Sequence, residues 1–167
     1  MKKRFVIMGV SGCGKSSIGA AFAARIGAGF VDGDDLHPAK NIAKMAAGIP
    51  LDDSDRAPWL EAIGQIFAQR DLPLVVACSA LKRSYRDIIR AQAEGGVTFL
   101  HLDGTRDVIA NRMAARLGHF MPSALLDSQF AALEPLASQE DAVRVNIDQT
   151  PDAIVDELVA HFRKDKA

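Results

Sequence analysis

The chain reads as one α/β domain in which five parallel strands alternate with helices, and three observations lead there. Short apolar runs recur between segments of helical periodicity, and the clearest of them is apolar throughout rather than alternating. The first run also feeds a glycine-rich turn that opens a helix. A continuous apolar run belongs to a strand covered on both faces, the condition of a parallel sheet between two helical layers. At 167 residues the chain has the size of a single domain spanning 1–167, able to bury about 70% of the surface its unfolded form would expose.

The first strand is Phe5-Val6-Ile7-Met8, and Gly9-Val10-Ser11-Gly12-Cys13-Gly14-Lys15-Ser16 follows it. This stretch matches the phosphate-cradling pattern G-x-x-x-x-G-K-[ST], in its required place between a strand and a helix. Glycines let the backbone curl so that successive N–H groups face the phosphates, where a Cβ would obstruct them. Lys15 reaches the β- and γ-phosphates, Ser16 offers a hydroxyl to Mg²⁺, and the helix over 15–27 turns its positive end to the anion. Gly9, Ser11, Gly12, Cys13, Gly14, Lys15, Ser16 and Ser17 are therefore the candidate nucleotide-binding residues, with ATP and Mg²⁺ as the expected ligands.

The other elements follow in order. Ala20 to Ala24 and Ile26 are helix formers, ended by Gly27 and Gly29. Phe30-Val31 reads as a second strand whose carboxyl end carries Asp32-Gly33-Asp34-Asp35. Pro38 suits the first turn of a helix closed by Gly48. Residues 49–58 form a polar, proline-flanked connection, after which Trp59, Leu60, Ile63, Ile66 and Phe67 recur at helical spacing to about Arg70. The run 72–78 is the third strand, and Ser79 to Lys82 begin a helix carrying Leu81, Tyr85, Ile88 and Ile89. Gly95-Gly96 breaks it ahead of a strand over 97–102, and a helix over 105–117 follows. His119-Phe120-Met121-Pro122 interrupts, and a helix over 123–133, a strand over 143–147 and a closing helix over 151–164 complete the chain.

Composition narrows the function classes. Twenty basic against 21 acidic residues give a formal net charge of −1, so no bulk attraction to nucleic acid or to an anionic membrane is expected. Met1-Lys2-Lys3-Arg4 ahead of apolar residues superficially resembles a signal peptide, but the apolar run is interrupted after Val10. No stretch of about 18 apolar residues occurs to span a bilayer. Cys13 and Cys78 make no disulfide framework, which fits a reducing cytoplasm.

Many proteins with this loop hold Mg²⁺ by an Asp at the end of another apolar strand. The strand over 74–78 ends instead in Cys78-Ser79, so Asp32 and Asp34 are the expected acids, one on the metal's water shell and the other on the substrate. Asp55 reads as an N-cap and Arg56 either as a surface charge or as a fork for an anionic substrate. Lys82 and Arg86 share a helix face at i, i+4, while Arg83 and Arg90 are expected in solvent. Arg112 and Arg116 repeat that spacing ahead of an irregular segment, which predicts a lid over about 112–124. His37 and His119 lack the partner spacing of a zinc site.

With these residues in view, the chain resembles bacterial gluconokinases of the small phosphate-loop type, related in fold to shikimate kinase and the nucleoside monophosphate kinases. The resemblance runs through the phosphate loop, Asp32-Gly-Asp-Asp-Leu-His-Pro38, Asn41 to Met45, Pro50 to Arg56 with Pro58-Trp59-Leu60, Cys78 to Lys82 with Tyr85-Arg86-Asp87, and His119-Phe120-Met121 with Ser128-Gln129-Phe130. It implies a three-layer P-loop kinase with a helical lid, transferring the ATP γ-phosphoryl group to the 6-hydroxyl of D-gluconate. By the same resemblance Asp34 positions or deprotonates that hydroxyl, with Lys15 and Arg116 as its catalytic companions. Asp32 joins Ser16 at the metal. His37, Arg56, Lys82 and Arg86 hold the sugar acid, and Arg112 and Arg116 cover the nucleotide. Cys13 stands where the family usually has serine or another small residue. A shikimate or adenylylsulfate kinase would also use the loop but would not explain the combined Asp32 to Pro38 and Cys78 to Lys82 blocks, and a non-catalytic nucleotide switch would need a partner-binding surface but no acid poised near an acceptor. The sequence leaves open whether the chain forms a homodimer.

Overall fold

The structure is a computed structural model that describes residues 3–115 and 123–166. Its strands are Arg4–Met8 (β1), Gly29–Asp32 (β2), Leu74–Ala77 (β3), Thr98–Asp103 (β4) and Ala142–Asn146 (β5). They form one sheet in the order β2-β3-β1-β4-β5, parallel at every pairing. The helices are Lys15–Ile26 (α1), Ala39–Ala46 (α2), Asp53–Gln69 (α3), Arg83–Gln92 (α4), Arg106–Ala115 (α5), Ser123–Ala132 (α6) and Pro151–Lys164 (α7).

The pleat of β1 sorts the core into two layers. Phe5 and Ile7 pack with Phe22 of α1 and Leu158 and Phe162 of α7. Val6 and Met8 lie on the other face, with Ile63 and Phe67 of α3 and Ile89 of α4. β1 is thus buried on both sides, as its unbroken apolar run requires. It is also where the strand order reverses, with β3 on one side and β4 on the other, so a crevice opens beyond its carboxyl end. The phosphate loop occupies that end.

Two boundaries differ from the sequence reading, both beside the crevice. α3 begins at Asp53, inside the stretch expected to be a connection, because Asp52 and not Asp55 is its N-cap. The Asp55 N–H donates to Asp52 Oδ1 at 2.7 Å and the Asp52 N–H donates back to Asp55 Oδ2 at 3.1 Å, a reciprocal cap that starts the helix upstream of Pro58. The second difference is at 79–82, which is not helical. Lys82 is the N-cap of α4, and Ala80 is held at φ 47°, a left-handed conformation that a Cβ disfavours. A 3-10 turn, Gly33–Leu36, was also not foreseen, and it carries Asp34.

Candidate active site

Gly14 at φ 97° is the N-cap of α1, so the loop turns into the helix through a backbone shape that favours glycine. Around it lies a cavity of about 310 Å³ lined by Ser11, Gly12, Gly14, Lys15, Ser16, Ser17 and Asp34. Cys13, expected among the nucleotide-binding residues, is fully buried and is not a wall of this cavity; burial, the largest influence, pushes its thiol pKa up. Lys15 folds back on its own loop, donating from Nζ to the carbonyls of Gly9 at 3.0 Å and Val10 at 3.2 Å.

Two expected metal-site residues come together here. Ser16 Oγ donates to Asp32 Oδ2 at 3.2 Å, while Asp32 Oδ1 accepts the Asp34 N–H at 3.0 Å and caps the 3-10 turn. A hydroxyl and a carboxylate side by side at the mouth of an anion cradle are hard oxygen donors, the set that Mg²⁺ takes. The residues therefore fit that ion.

A second cavity, of about 210 Å³, adjoins the first and shares Asp34 with it. His37, Arg56, Trp59, Tyr85 and Gln129 are among its walls, with the 79–81 backbone segment between α4 and β3. Trp59 is its fixed point. Its Nε1–H donates to the Gly33 carbonyl at 2.7 Å, and its ring stacks on His37 at 4.1 Å between centroids. Gly33 is buried against the Ala77 carbonyl, where a Cβ would collide, so the Asp34 turn sits directly on the end of β3.

His37 is oriented from behind. Asn41 Nδ2 can only donate, so across their 3.3 Å contact His37 Nδ1 accepts and the ring proton lies on Nε2. Burial first, and the Arg56 charge as well, lower the His37 pKa against the opposing pull of Asp34, which keeps the ring neutral at pH 7.

Arg56 and Lys82 converge on one carboxylate that sequence reasoning passed over. Asp53 Oδ1 lies 3.8 Å from Arg56 Nη1 and 3.6 Å from Lys82 Nζ, and it accepts the Tyr85 hydroxyl at 2.5 Å. That hydroxyl bond first, then Lys82 and Arg56, hold the Asp53 carboxyl below the usual range. Both cations also lie over the Tyr85 ring, at 5.7 and 5.5 Å. Asp53 was hidden because its stretch reads as a loop, and the capping box that makes it helical was the available signal.

Arg86 does not have the place expected of a substrate ligand. It is 0% exposed, and its donors are spent on Glu140 and on the carbonyls of Ala80, Leu81, Glu134 and Pro135. The bonds to Ala80 and Leu81, at 3.0 and 3.1 Å, brace the strained segment that walls the second cavity. Arg90, expected in solvent, is three-quarters buried, pairs with Glu140 and lies 4.6 Å over the Phe99 ring. Arg112 donates to the carbonyls of Ile147 and Gln149, which ties α5 to the loop after β5. Met113 on the same helix lies over Gly12, where a Cβ would come within 2.6 Å of its Sδ. Arg116 and His119, and with them most of the expected lid, fall outside the described residues.

Comparison with known proteins agrees with this geometry. The shikimate kinase family pattern matches residues 11–163. The chain is 53% identical over 148 residues to the thermosensitive gluconokinase of Escherichia coli strain K12, covering 86% of this chain and 78% of that one. It is 43% identical over 168 residues to the gluconokinase of Gluconobacter oxydans strain 621H, covering 98% and 93%. A crystal structure of a gluconokinase from Sinorhizobium meliloti 1021 superposes with a TM-score of 0.88 at 51% identity, covering 96% and 91%. A phosphate loop beside a walled acceptor cavity, matched along nearly its whole length by such relatives, places the chain in the shikimate kinase family, among its gluconokinases.

Proposed function

We propose that the chain phosphorylates D-gluconate at its 6-hydroxyl, consuming ATP and releasing 6-phospho-D-gluconate and ADP. The observation that carries this reading is the position of Asp34, a wall of both the phosphate cavity and the acceptor cavity. A carboxylate there accepts the proton of the 6-hydroxyl as its oxygen bonds to the γ-phosphorus and the bond from phosphorus to the ADP oxygen breaks. Lys15 leaves its loop carbonyls to balance charge on the transferring group. Ser16 and Asp32 would hold Mg²⁺, which supplies charge neutralisation at the phosphates. At the far end of the acceptor, Arg56 and Lys82 take the carboxylate, and His37 offers its Nε2–H to a hydroxyl.

Arg112 would steady the nucleotide side through the loop after β5. Two free, buried cysteines and the small-molecule substrates fit a cytoplasmic enzyme acting without nucleic acid or membrane. The test is ATP consumption by the purified protein with and without D-gluconate, with the product's phosphorus position assigned by NMR. Gluconate-dependent ADP release with phosphate on carbon 6 is expected. Consumption that ignores gluconate would overturn the reading.

A further inference from the structure

Ser11 and Gln129 join the two cavities. The Ser11 N–H and the Ser11 Oγ–H both donate to Gln129 Oε1, each at 3.3 Å, across 118 residues of sequence. A backbone N–H must face an acceptor, so this contact fixes which end of the carboxamide is oxygen. The amide nitrogen then points away from the loop. Gln129 is a wall of the acceptor cavity and not of the phosphate cavity, and its Nε2 has no hydrogen-bond partner among the described residues. A half-buried amide with its oxygen held and its two N–H groups unused is a donor prepared for a ligand oxygen.

We propose that Gln129 is an acceptor-binding residue that grips the hydroxyl next to the one being phosphorylated, and that Ser11 holds it in that orientation. This rests on the gluconate reading above. With the 6-hydroxyl at Asp34 beside the phosphate loop and the carboxylate at Arg56 and Lys82, the acceptor chain runs away from the loop. Gln129 is tied to the loop itself, so the hydroxyl it meets is the one on carbon 5. Ser11 has two donors, so its N–H can turn to a phosphate oxygen while its hydroxyl keeps Gln129 in place. The acceptor's grip is thereby linked to the nucleotide site through one serine.

The test is steady-state kinetics of wild type, Gln129→Met and Gln129→Glu with D-gluconate and with 5-deoxy-D-gluconate, each variant checked for an unchanged thermal midpoint. Glutamate keeps an acceptor for Ser11 but has no N–H to give; methionine keeps the length and has neither. Both variants should raise the gluconate KM about tenfold, with the ATP KM within about twofold of wild type. Wild type should lose a similar factor on 5-deoxygluconate, and the variants should lose nothing further on it, because the partner is already gone. A Gln129→Glu protein with wild-type gluconate KM would overturn the proposal, since only the Ser11 link would then matter. So would a penalty that is undiminished on the deoxy substrate, or one that falls on ATP alone. A wild-type protein that ignores gluconate fails the functional reading instead, and the two failures are distinct.

Discussion

The Arg86 guanidinium meets the Glu140 carboxylate at 2.8 Å with 0% and 1% of the two side chains exposed. Glu140 also accepts from Arg90 and, at 2.7 Å, from the Ala137 N–H, so its acceptor sites are filled. Arg86 in turn carries the carbonyls of Ala80 and Leu81. Removing one partner of such a pair leaves a buried charge uncompensated, at a cost of about 3–5 kcal/mol. Arg86→Ala is therefore expected to lower the denaturation midpoint steeply, and Arg86→Lys to recover little, because one ammonium cannot serve acceptors arranged around a planar fork. Urea unfolding of both variants checks this; a lysine variant as stable as wild type contradicts it.

The same pair sets an acid limit. Burial alone would raise the Glu140 pKa, but the bonds from Arg86, Ala137 and Arg90 outweigh it and bring it from 4.5 to about 2. A carboxyl depressed in the folded state gives stability that is complete above its unfolded value and is lost as pH falls through the folded one. The window is therefore about pH 4.5 to 2, and the contribution is on the order of 3 kcal/mol. Unfolding free energy measured by denaturant between pH 6 and 3 should fall more steeply in wild type than in Glu140→Gln, whose curve lacks this component. Parallel curves would show that Glu140 titrates normally.

Local pattern specifies the frame of this chain but not the partners of its buried charges. The strand and helix order was legible because each apolar run and each glycine break acts locally, and the loop at Gly9 to Ser16 is specified residue by residue. Asp32 with Ser16, and Asp34 between the cavities, were legible as well, since strand ends in such a sheet gather at one edge. Arg86 was misread because i, i+4 spacing with Lys82 presumes a helix from 79 onward, whereas Ala80 is left-handed and α4 starts at Arg83. Nothing local marks Glu140, 54 residues away, as the partner that buries it. Gln129 was given no role for the same reason, its partner Ser11 lying 118 residues away, whereas Asp53 escaped because its stretch reads as a loop.

Lys15 stands alone as the cation lining the phosphate cavity, among the described residues. Lys15→Ala is expected to fold normally, since its ammonium bonds only the carbonyls of Gly9 and Val10 among the described residues and no carboxylate is left unpaired. Loss of a preorganised charge at the transferring group costs about 10²–10³ in kcat. Single-turnover transfer from ATP checks this, alongside circular dichroism. Turnover within tenfold of wild type in a folded variant would remove Lys15 from the chemistry.

Asp32 bonds the Ser16 hydroxyl whereas Asp34 is a wall of both cavities, so their substitutions should separate. Asp32→Asn loses the charge next to the Ser16 hydroxyl and is expected to shift the Mg²⁺ dependence to higher concentration while saturating kcat is largely restored. Asp34→Asn loses the proton acceptor and is expected to lower kcat by about 10²–10⁴ at any Mg²⁺ concentration, with gluconate still binding. Magnesium titrations of initial rate distinguish the two. Superimposable profiles would mean that the acids act as one unit.

An acid is told from a neutral sugar by the cations that meet its carboxylate. Arg56 is a wall of the acceptor cavity and Lys82 meets it at Asp53, with side chains 32% and 37% exposed. A pair so placed is worth more than a solvated one, at about 0–1 kcal/mol, and less than a buried one, at about 2–5 kcal/mol. Gluconate is therefore expected to be favoured over glucose by roughly 5- to 30-fold in kcat/KM, and Arg56→Ala or Lys82→Ala should remove that factor. Asp53 gives the test a second sign. Its carboxylate competes for the same two cations, so Asp53→Asn should free them and lower the gluconate KM, while the Tyr85 hydroxyl keeps an amide oxygen to donate to. The gain should shrink as ionic strength rises, because these charges are partly open to solvent. If Asp53→Asn weakens gluconate binding at every salt concentration, Asp53 positions the cations rather than competing for them, and the carboxylate is held by a different arrangement.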